Sequence, residues 1–367
     1  MLKRQLVLED SSVFIGEGFG SETMTMGEIV FHTGMTGYQE VISDPSASGQ
    51  IVVMTNPSIG NYGMNRDDME STAPSVHGVI TKAYEEYPSN FRSEETLNDF
   101  LKRYNIPGIA GIDTRKLTKT IRQHGTVKGC IAPVSEPVET LVSQLRQTPM
   151  PTNLVSQISI VKPYVVPGRG RRIVLVDFGM KHGVLRELTK RDNHVTVVPY
   201  NYRAKDILQL KPDGILLSNG PGDPKAIPEV MEMVQDVLGQ LPLFGIGLGH
   251  QLFALACGAN TEKMKFGHHG TNHPVKDLET GRTYMTGQHH SYDVTHESLG
   301  RTNLALTQIA LNDHSVEGIK HTVYPAFSVQ YYPEGAPGPN DANPLFDAFL
   351  QMIDDTKEAG KGEQTYA

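Results

Sequence analysis

Short apolar runs separated by glycine, serine, asparagine and proline characterise the first part of the chain. Between about residues 6 and 57 these runs are LVLE, SVFIG, GEIVFHT and QIVVMT. Runs of this length, bounded by turn-forming residues, are typical of β-strands. Helical spacing appears later, in SEETLNDFLKRYN and in DTRKLTKTIRQHG, where Leu117 and Ile121 are four residues apart. The pattern predicts a β-rich α+β domain over residues 1–151.

The pattern changes in the second half of the chain. Residues 152–171 contain prolines, glycines and arginines that interrupt both periodicities, which predicts an interdomain linker. From Arg172 onward the strand-like runs IVLVDF, VTVVPY and GILLSNG alternate with the helix-like runs GVLRELTKRD and AKDILQL. This alternation predicts an α/β domain over residues 172–355, with a mainly parallel sheet flanked by helices. Residues 356–367 are polar without a period, so we expect a frayed tail.

Composition and charge narrow the functional classes. A length of 367 residues corresponds to about two domains. The 33 basic and 41 acidic residues give a net charge of −8, which argues against a nucleic-acid-binding surface. No apolar run approaches the ~20 residues that cross a bilayer, and Glu9 and Asp10 interrupt any signal-peptide core, so a cytoplasmic location is expected. Two cysteines exclude a disulfide framework and a four-cysteine zinc site.

One segment has the pattern of a nucleophile elbow. In LPLFGIGLGHQLFALACGA, an apolar strand runs directly into a glycine-flanked turn and then a helix. Such a turn places its nucleophile at a helix N-terminus, where backbone N–H groups can stabilise an oxyanion. The position between Ile246 and Leu248 should be Cys or Ser, but it is Gly247. A plain glycine-rich turn is the alternative interpretation.

Three other glycine-containing segments predict loops or turns. LLSNGPGDP predicts a strand followed by a loop whose glycines bring backbone N–H groups close to a bound oxygen, and SVQYYPEGAPGP predicts a strand ending in a turn that displays Glu334. GEGFG, from Gly16 to Gly20, does not match a dinucleotide-binding motif and predicts a turn. No G-x-x-x-x-G-K-[ST] run occurs, so ATP is not expected on this chain.

Several of these motifs together identify a family. DFGMKHGVLREL, SNGPGDP, FGIGLGHQ, KMKFGHHGTNHPV and QYYPEGAPGP resemble the class I, triad-type glutamine amidotransferases, specifically the small subunit of carbamoyl phosphate synthase. GEIVFHTGMTGYQEVISDPSASGQIV, NPSIGNYGMNRDD and IPGIAGIDTRKLTKTIRQHG resemble the N-terminal domain of that subunit. The resemblance extends from about residue 3 to residue 353. It implies a class I glutamine amidotransferase domain in the second half.

The resemblance also implies a catalytic mechanism. In the family a cysteine attacks the side-chain amide of glutamine, a histidine is its base, a glutamate orients the histidine, and ammonia passes to a large subunit. ATP and Mg²⁺ are then expected on that large subunit, with no cofactor on this chain. The nucleophile position corresponds to Gly247, the base position to Tyr332 and the orienting position to Glu334. Only Glu334 has the residue type that the family requires.

The resemblance implies a binding site for glutamine as well. Its members here are Ser46, Gly220, Gly222, Leu248, Gln251, His289, Ser291 and Tyr292. The family's Gln-Asn-His-Gly run is replaced by Gln288, His289, His290 and Ser291, which adds bulk and alters hydrogen bonding where a small polar substrate should fit.

No other residue is expected to rescue the reaction. Cys257 lies ten positions beyond Gly247 on the predicted helix, about 15 Å away at ~1.5 Å per residue, and Cys130 belongs to the other domain. The phenol of Tyr332 is a poor base at neutral pH because its usual pKa is about 10. The histidines between residues 268 and 296 have no regular ligand spacing, so no metal is expected.

Two functional hypotheses follow. The first is an ammonia-delivering subunit of a carbamoyl phosphate synthase, serving arginine or pyrimidine synthesis. The second is a non-catalytic partner that stabilises or regulates a large subunit that uses free ammonia. The substitutions at Gly247 and Tyr332 lead us to expect membership of the synthase with intrinsic glutaminase activity lost or impaired.

Overall fold

The chain divides into two compact units. The computed structural model describes residues 2–152 and 154–365, with side chains described as far as residue 359. The first unit comprises the chain up to Leu154 together with Lys265–Thr271, and the second comprises Val155–Met264 and the chain from Asn272.

A closed β-barrel forms the centre of the first unit. The strands of this unit are β1 (Lys3–Leu8), β2 (Val13–Gly20), β3 (Thr25–His32), β4 (Gln50–Met54), β5 (Ser58–Ile59), β6 (Gly78–Ile80), β7 (Ala83–Tyr84), β8 (Pro107–Ala110) and β9 (Val127–Pro133). Seven of them close in the order β1-β2-β8-β6-β4-β3-β9, while β5 and β7 form a separate pair. The four apolar runs predicted as strands form β1 to β4.

Four helices belong to the same unit. They are α1 (Tyr38–Ser43), α2 (Leu97–Arg103), α3 (Thr114–His124) and α4 (Val138–Gln147). The two helices predicted from spacing are α2 and α3. Each has a capped N-terminus: the Thr96 hydroxyl accepts a hydrogen bond from the N–H of Asp99 at 3.1 Å, and Asp113 accepts one from the N–H of Lys116 at 2.9 Å.

The turn predicted at GEGFG is wrong, because these residues lie within β2. Their glycines serve close packing rather than chain reversal. A Cβ on Gly18 would lie 2.8 Å from Cδ of Arg4, and one on Gly16 would clash with the carbonyl oxygen of Ala110 on β8. Glycine is therefore required by neighbouring strands, a requirement that the local sequence does not reveal.

A ten-stranded sheet forms the second unit. Its strands are β10 (Tyr164–Val166), β11 (Arg172–Asp177), β12 (His194–Pro199), β13 (Gly214–Leu217), β14 (Leu243–Ile246), β15 (Thr261–Asp277), β16 (Thr283–Val294), β17 (Leu304–Ala310), β18 (Val316–His321) and β19 (Ala326–Val329). The order is β10-β12-β11-β13-β14-β19-β18-β17-β15-β16. The run β12-β11-β13-β14-β19 is parallel throughout, as predicted for the α/β domain.

Helices cover both faces of this parallel region. They are α5 (Val155–Ile158), α6 (His182–Lys190), α7 (Ala204–Gln209), α8 (Pro228–Val237), α9 (Leu248–Ala256), α10 (His296–Leu299) and α11 (Pro344–Thr365). Along β11, Ile173 and Leu175 are buried in one apolar cluster, while Val174 and Val176 are buried in another. Consecutive strand residues point to opposite faces, so this strand is buried on both sides.

Two predicted boundaries differ from the structure. The segment predicted as a linker, residues 152–171, carries α5 and β10 of the second unit. The tail expected to fray at 356–367 is helical as far as Thr365, and residues 366–367 lie outside the described residues. Helix extension adds one hydrogen bond per residue at little cost, and Lys357 also forms an ion pair of 2.9 Å with Asp213.

Among residues 2–152 and 154–365, no helix is both long and apolar enough to cross a membrane.

Candidate functional site

Four parallel strands of the second unit end at the same edge of the sheet. The segments that follow β11, β13, β14 and β19 begin at Phe178, Ser218, Gly247 and Gln330. The carboxyl ends of parallel strands form the usual ligand-binding edge of an open α/β sheet. Most of the predicted site residues lie on these segments.

Gly247 has the backbone geometry of an elbow. Its φ is 57° and its ψ is −111°, and it caps the N-terminus of α9. Its N–H donates to the carbonyl oxygen of Val329 at 2.9 Å, and its own carbonyl accepts from the N–H groups of His250 and Gln251. The strand-turn-helix predicted from the sequence is therefore present, with no side chain at its apex.

The space at this apex is narrow but not closed. A Cβ built on Gly247 would lie 3.2 Å from Cβ of Asn219 and 3.8 Å from the carbonyl oxygen of Gln330. A side chain at 247 thus requires its neighbours to move by a few tenths of an ångström. It also requires a non-glycine residue at positive φ, which stores ~1–3 kcal/mol of strain.

The loop after β13 approaches the elbow closely. A Cβ on Gly220 would clash with the carbonyl oxygen of Phe178 and lie 3.0 Å from Cδ2 of Leu248. Gly222 has a φ of 87°, a conformation that favours glycine. Asn219 fixes the loop, because its Oδ1 accepts from the N–H of Lys181 and its Nδ2 donates to the carbonyl of Gly179, both at 3.0 Å.

Tyr332 and Glu334 surround a buried lysine that the sequence analysis missed. The Nζ of Lys181 lies 2.7 Å from Oε1 of Glu334 and 3.9 Å from the centroid of the Tyr332 ring. It also donates to the carbonyl oxygen of Ala336. The side chains of Lys181 and Glu334 are both 0% exposed. The only signal in the sequence was a lysine directly after a buried strand, within DFGMKHG.

Tyr332 lies against β16 and Lys181. Its hydroxyl lies 3.5 Å from the carbonyl oxygen of His289, at the limit of a hydrogen bond. Its main-chain N–H donates to the carbonyl of Gly287 at 2.9 Å. The ring is 3% exposed and forms a cation–π contact with Lys181. The position thus packs an aromatic ring over a cation.

Gln251 connects α9 with β16 and the segment after β19. Its Nε2 donates to the carbonyl of Tyr292 at 2.8 Å and to Oε1 of Gln330 at 3.0 Å. In the preceding residue of α9, Nδ1 of His250 lies 2.9 Å from the hydroxyl of Ser328. Burial lowers the pKa of His250 to about 3, so the imidazole is neutral at physiological pH.

The remaining members of the predicted glutamine site lie on α9, on β16 and on a turn of the first unit. Leu248 is the first residue of α9, and His289, Ser291 and Tyr292 lie on β16. His290 between them is also held, because its Nδ1 lies 2.8 Å from the carbonyl oxygen of Tyr292. Ser46 belongs to the first unit, in the 3-10 turn Pro45–Ala47, and is 5% exposed.

Neither cysteine has the properties of an activated thiol. Cys257 follows α9 directly and is half-buried, and Cys130 is buried in β9 of the first unit. Burial raises the pKa of each thiol to about 12, which leaves essentially no thiolate at neutral pH.

In a comparison with known proteins, each half of the chain matches a family model. The family model described as the carbamoyl-phosphate synthase small chain, CPSase domain, matches residues 6–131, and that of glutamine amidotransferase class-I matches residues 174–352. A carbamoyl phosphate synthase small chain from Oceanobacillus iheyensis is 62% identical over 363 residues, which cover 99% of this chain and 99% of its own. The chain belongs to the carbamoyl phosphate synthase small chain family.

A second relative agrees with this family. The carbamoyl phosphate synthase pyrimidine-specific small chain of Bacillus subtilis is 61% identical over 360 residues, covering 98% of both chains. Among solved structures, a glutamine amidotransferase from Thermotoga maritima aligns with 52% of this chain and 86% of its own, at 14% identity and a TM-score of 0.37.

The site contains the turn, the loop and the carboxylate that the sequence resemblance implies, whereas residues 247 and 332 are not the cysteine and histidine expected there. The elbow, the loop after β13 and the carboxylate of Glu334 are all present. The elbow carries no thiol or hydroxyl, and the position expected to be a histidine is a tyrosine. The arrangement can orient groups around the N-terminus of α9, but Gly247 offers no atom to attack a carbonyl carbon.

Proposed function

We propose that this chain is the small subunit of a carbamoyl phosphate synthase and that its own glutaminase activity is lost or severely impaired. The complex would then make carbamoyl phosphate from free ammonia. In this role the chain stabilises or regulates the large subunit and closes one end of the ammonia path.

The observation that carries the proposal is the absence of a side chain at the elbow. Glutamine hydrolysis in this family, as the resemblance implies, needs a covalent intermediate on residue 247. Gly247 supplies no nucleophile, and loss of a nucleophile alone reduces rate by several orders of magnitude. The two thiols of the chain do not substitute for it, because both have raised pKa values and one lies in the other unit.

The surroundings of Tyr332 support the same proposal. A general base at this position would have to accept a proton from the nucleophile. The phenol instead packs over the Nζ of Lys181, and the carboxylate of Glu334 lies 2.7 Å from that ammonium. The carboxylate expected to orient a histidine is therefore engaged by a lysine.

The family suggests the ligand, the cofactors and the pathway that belong to this proposed function. Glutamine is the ligand of the amidotransferase domain, and weak binding without hydrolysis is expected because His289 and Ser291 replace smaller or different groups. The large subunit would carry ATP and Mg²⁺, with no cofactor on this chain. The name of the Bacillus subtilis relative favours pyrimidine synthesis as the pathway.

A glutamate-release assay tests the loss of activity. The purified chain, alone and with its large subunit, should release no glutamate from glutamine above background. The small chain of Oceanobacillus iheyensis, assayed alongside, is the positive control. Turnover by this chain that persists in the Cys257→Ser variant would show that another group performs the hydrolysis and that the proposal is wrong.

A further inference from the structure

A cavity of about 510 Å³ opens on the first unit, where β1, β2, β7 and α2 meet. All the residues that line it belong to the first unit. It includes Gly18, Phe19 and Gly20 of the GEGFG run, which the amidotransferase chemistry does not use. The volume is within the range of small-molecule binding sites.

A buried guanidinium forms the floor of this cavity. Arg4 is 3% exposed, and its two terminal nitrogens donate to the carbonyl oxygens of Thr23 at 3.1 Å and Ser21 at 2.6 Å. In the described part of the chain, no carboxylate forms an ion pair with it. Gly18 leaves room for its Nε, because a Cβ there would lie 2.8 Å from that atom. A buried charge that makes no ion-pair contact is costly, so this floor favours an anionic group.

The rim of the cavity carries both signs of charge. Glu22, Glu86 and Lys102 line it and are exposed. Burial lowers the pKa of Arg4, and the negative charge of Glu22 opposes that shift in part. Two carboxylates at the rim favour a cationic group there and disfavour a dianion such as phosphate. A ligand that is anionic at one end and cationic at the other matches this arrangement.

One wall of the cavity is aromatic. The rings of Phe19 and Tyr84 are stacked, with centroids 4.8 Å apart and an interplanar angle of 5°. The hydroxyl of Tyr84 is buried. The side chain of Leu2 adds apolar surface nearby. The wall therefore offers an apolar surface to a ligand.

We propose that this cavity binds a zwitterionic α-amino acid with an apolar side chain. The carboxylate of the ligand faces Arg4, its ammonium faces Glu22 and Glu86, and its side chain lies along Phe19 and Tyr84. This site is separate from the glutamine site of the amidotransferase domain, and it does not depend on whether that domain is active.

Three matched probes test the charge requirement. L-phenylalanine has both charged groups, phenethylamine lacks the carboxylate, and 3-phenylpropanoate lacks the ammonium. Calorimetric titration of the full chain should show L-phenylalanine binding roughly tenfold or more tighter than either of the others. Absence of heat at millimolar L-phenylalanine, equal affinity for all three probes, or tighter binding of inorganic phosphate would overturn the proposal.

Variants assign the binding to the cavity. Arg4→Met should weaken L-phenylalanine binding roughly tenfold or more, while Arg115→Met, an exposed arginine on α3, should leave it unchanged. If Arg4→Met does not fold, the exposed pair Glu22→Gln and Glu86→Gln supplies the test, with an expected loss of several-fold. Unchanged affinity for L-phenylalanine in the variant carrying Glu22→Gln and Glu86→Gln, and in any Arg4→Met protein that folds, would also overturn the proposal.

Discussion

The backbone of Gly247 is held in a conformation that glycine adopts freely and other residues do not. With φ at 57° and ψ at −111°, the position has the backbone geometry of a nucleophile elbow but carries no nucleophilic side-chain atom. A reactive residue there would store strain of ~1–3 kcal/mol. Glycine avoids that strain, so Gly247 favours the folded state relative to any other residue at this position.

Restoring the nucleophile and the base should recover activity cooperatively. Gly247→Cys alone should regain little glutaminase activity, because Tyr332 does not take up the thiol proton, and it should lower the free energy of unfolding by ~1–3 kcal/mol. Adding Tyr332→His should raise activity by more than the product of the single effects, because triad residues act as a unit. Steady-state glutamate release and urea unfolding measure the two quantities. Independent, multiplicative effects would contradict this coupling.

Each member of the buried ion pair between Lys181 and Glu334 should be stabilised by the charge of the other. Removing one partner of a buried ion pair typically costs ~3–5 kcal/mol, whereas replacing both by apolar residues costs far less. We therefore expect Lys181→Met to reduce the free energy of unfolding strongly, and Lys181→Met with Glu334→Leu to recover part of the loss. Urea denaturation of the single and double variants gives the coupling. Additive losses would show that the two side chains do not stabilise each other.

At the scale of elements, α9 is tied to the sheet beneath it by polar groups as well as apolar ones. His250, Gln251 and Ser328 link the first turns of this helix to the neighbouring strand β19 and to the segment that follows it. His250 is 0% exposed, and its pKa is lowered to about 3. The position of the elbow thus depends on a histidine that must stay neutral.

This histidine predicts a specific loss of stability in acid. The unfolded chain protonates His250 below its usual pKa of about 6.5, whereas the folded chain does so only near pH 3. Its contribution is fully present above pH ~6.5 and is lost as the pH falls through this window, by up to ~1.4 kcal/mol per pH unit. Urea unfolding gives the free energy of unfolding at each pH between pH 7 and pH 4. Its slope against pH should be shallower in His250→Gln than in the wild type, by the equivalent of about one proton. The same slope in wild type, His250→Gln and the exposed control His124→Gln would refute this assignment.

The sequence predicts elements well where periodicity and turn residues agree. Strands β1 to β4 and β11 to β14 follow from apolar runs, and the strand-turn-helix at Gly247 follows from its glycines. The interpretation of GEGFG as a turn failed because its glycines are required by contacts with Arg4 and Ala110 from other strands. The role of Lys181 was missed for the same reason, since its partners lie more than 150 residues away. Long-range contacts of this kind have no local signature.

At the scale of the whole molecule, the two units match the two domains of the small chain family. The barrel unit contains the residues matched by the small chain domain, and the sheet unit contains those matched by the amidotransferase domain apart from Lys265–Thr271, which belong to the barrel unit. The substitutions that affect the proposed chemistry, at residues 247 and 332, both lie in the sheet unit. Under the proposed function, the barrel unit is therefore expected to bind the large subunit as in an active small chain.

The nitrogen donor used by the assembled synthase tests the central proposal most directly. The chain and its large subunit should co-elute on size exclusion, and ATP-dependent carbamoyl phosphate formation should then be measured with each donor separately. We expect synthesis with ammonium salts, at a rate that rises with pH as more neutral ammonia becomes available, and none above background with glutamine. Equal rates with millimolar glutamine in ammonia-free buffer would contradict the proposal and establish an active glutaminase.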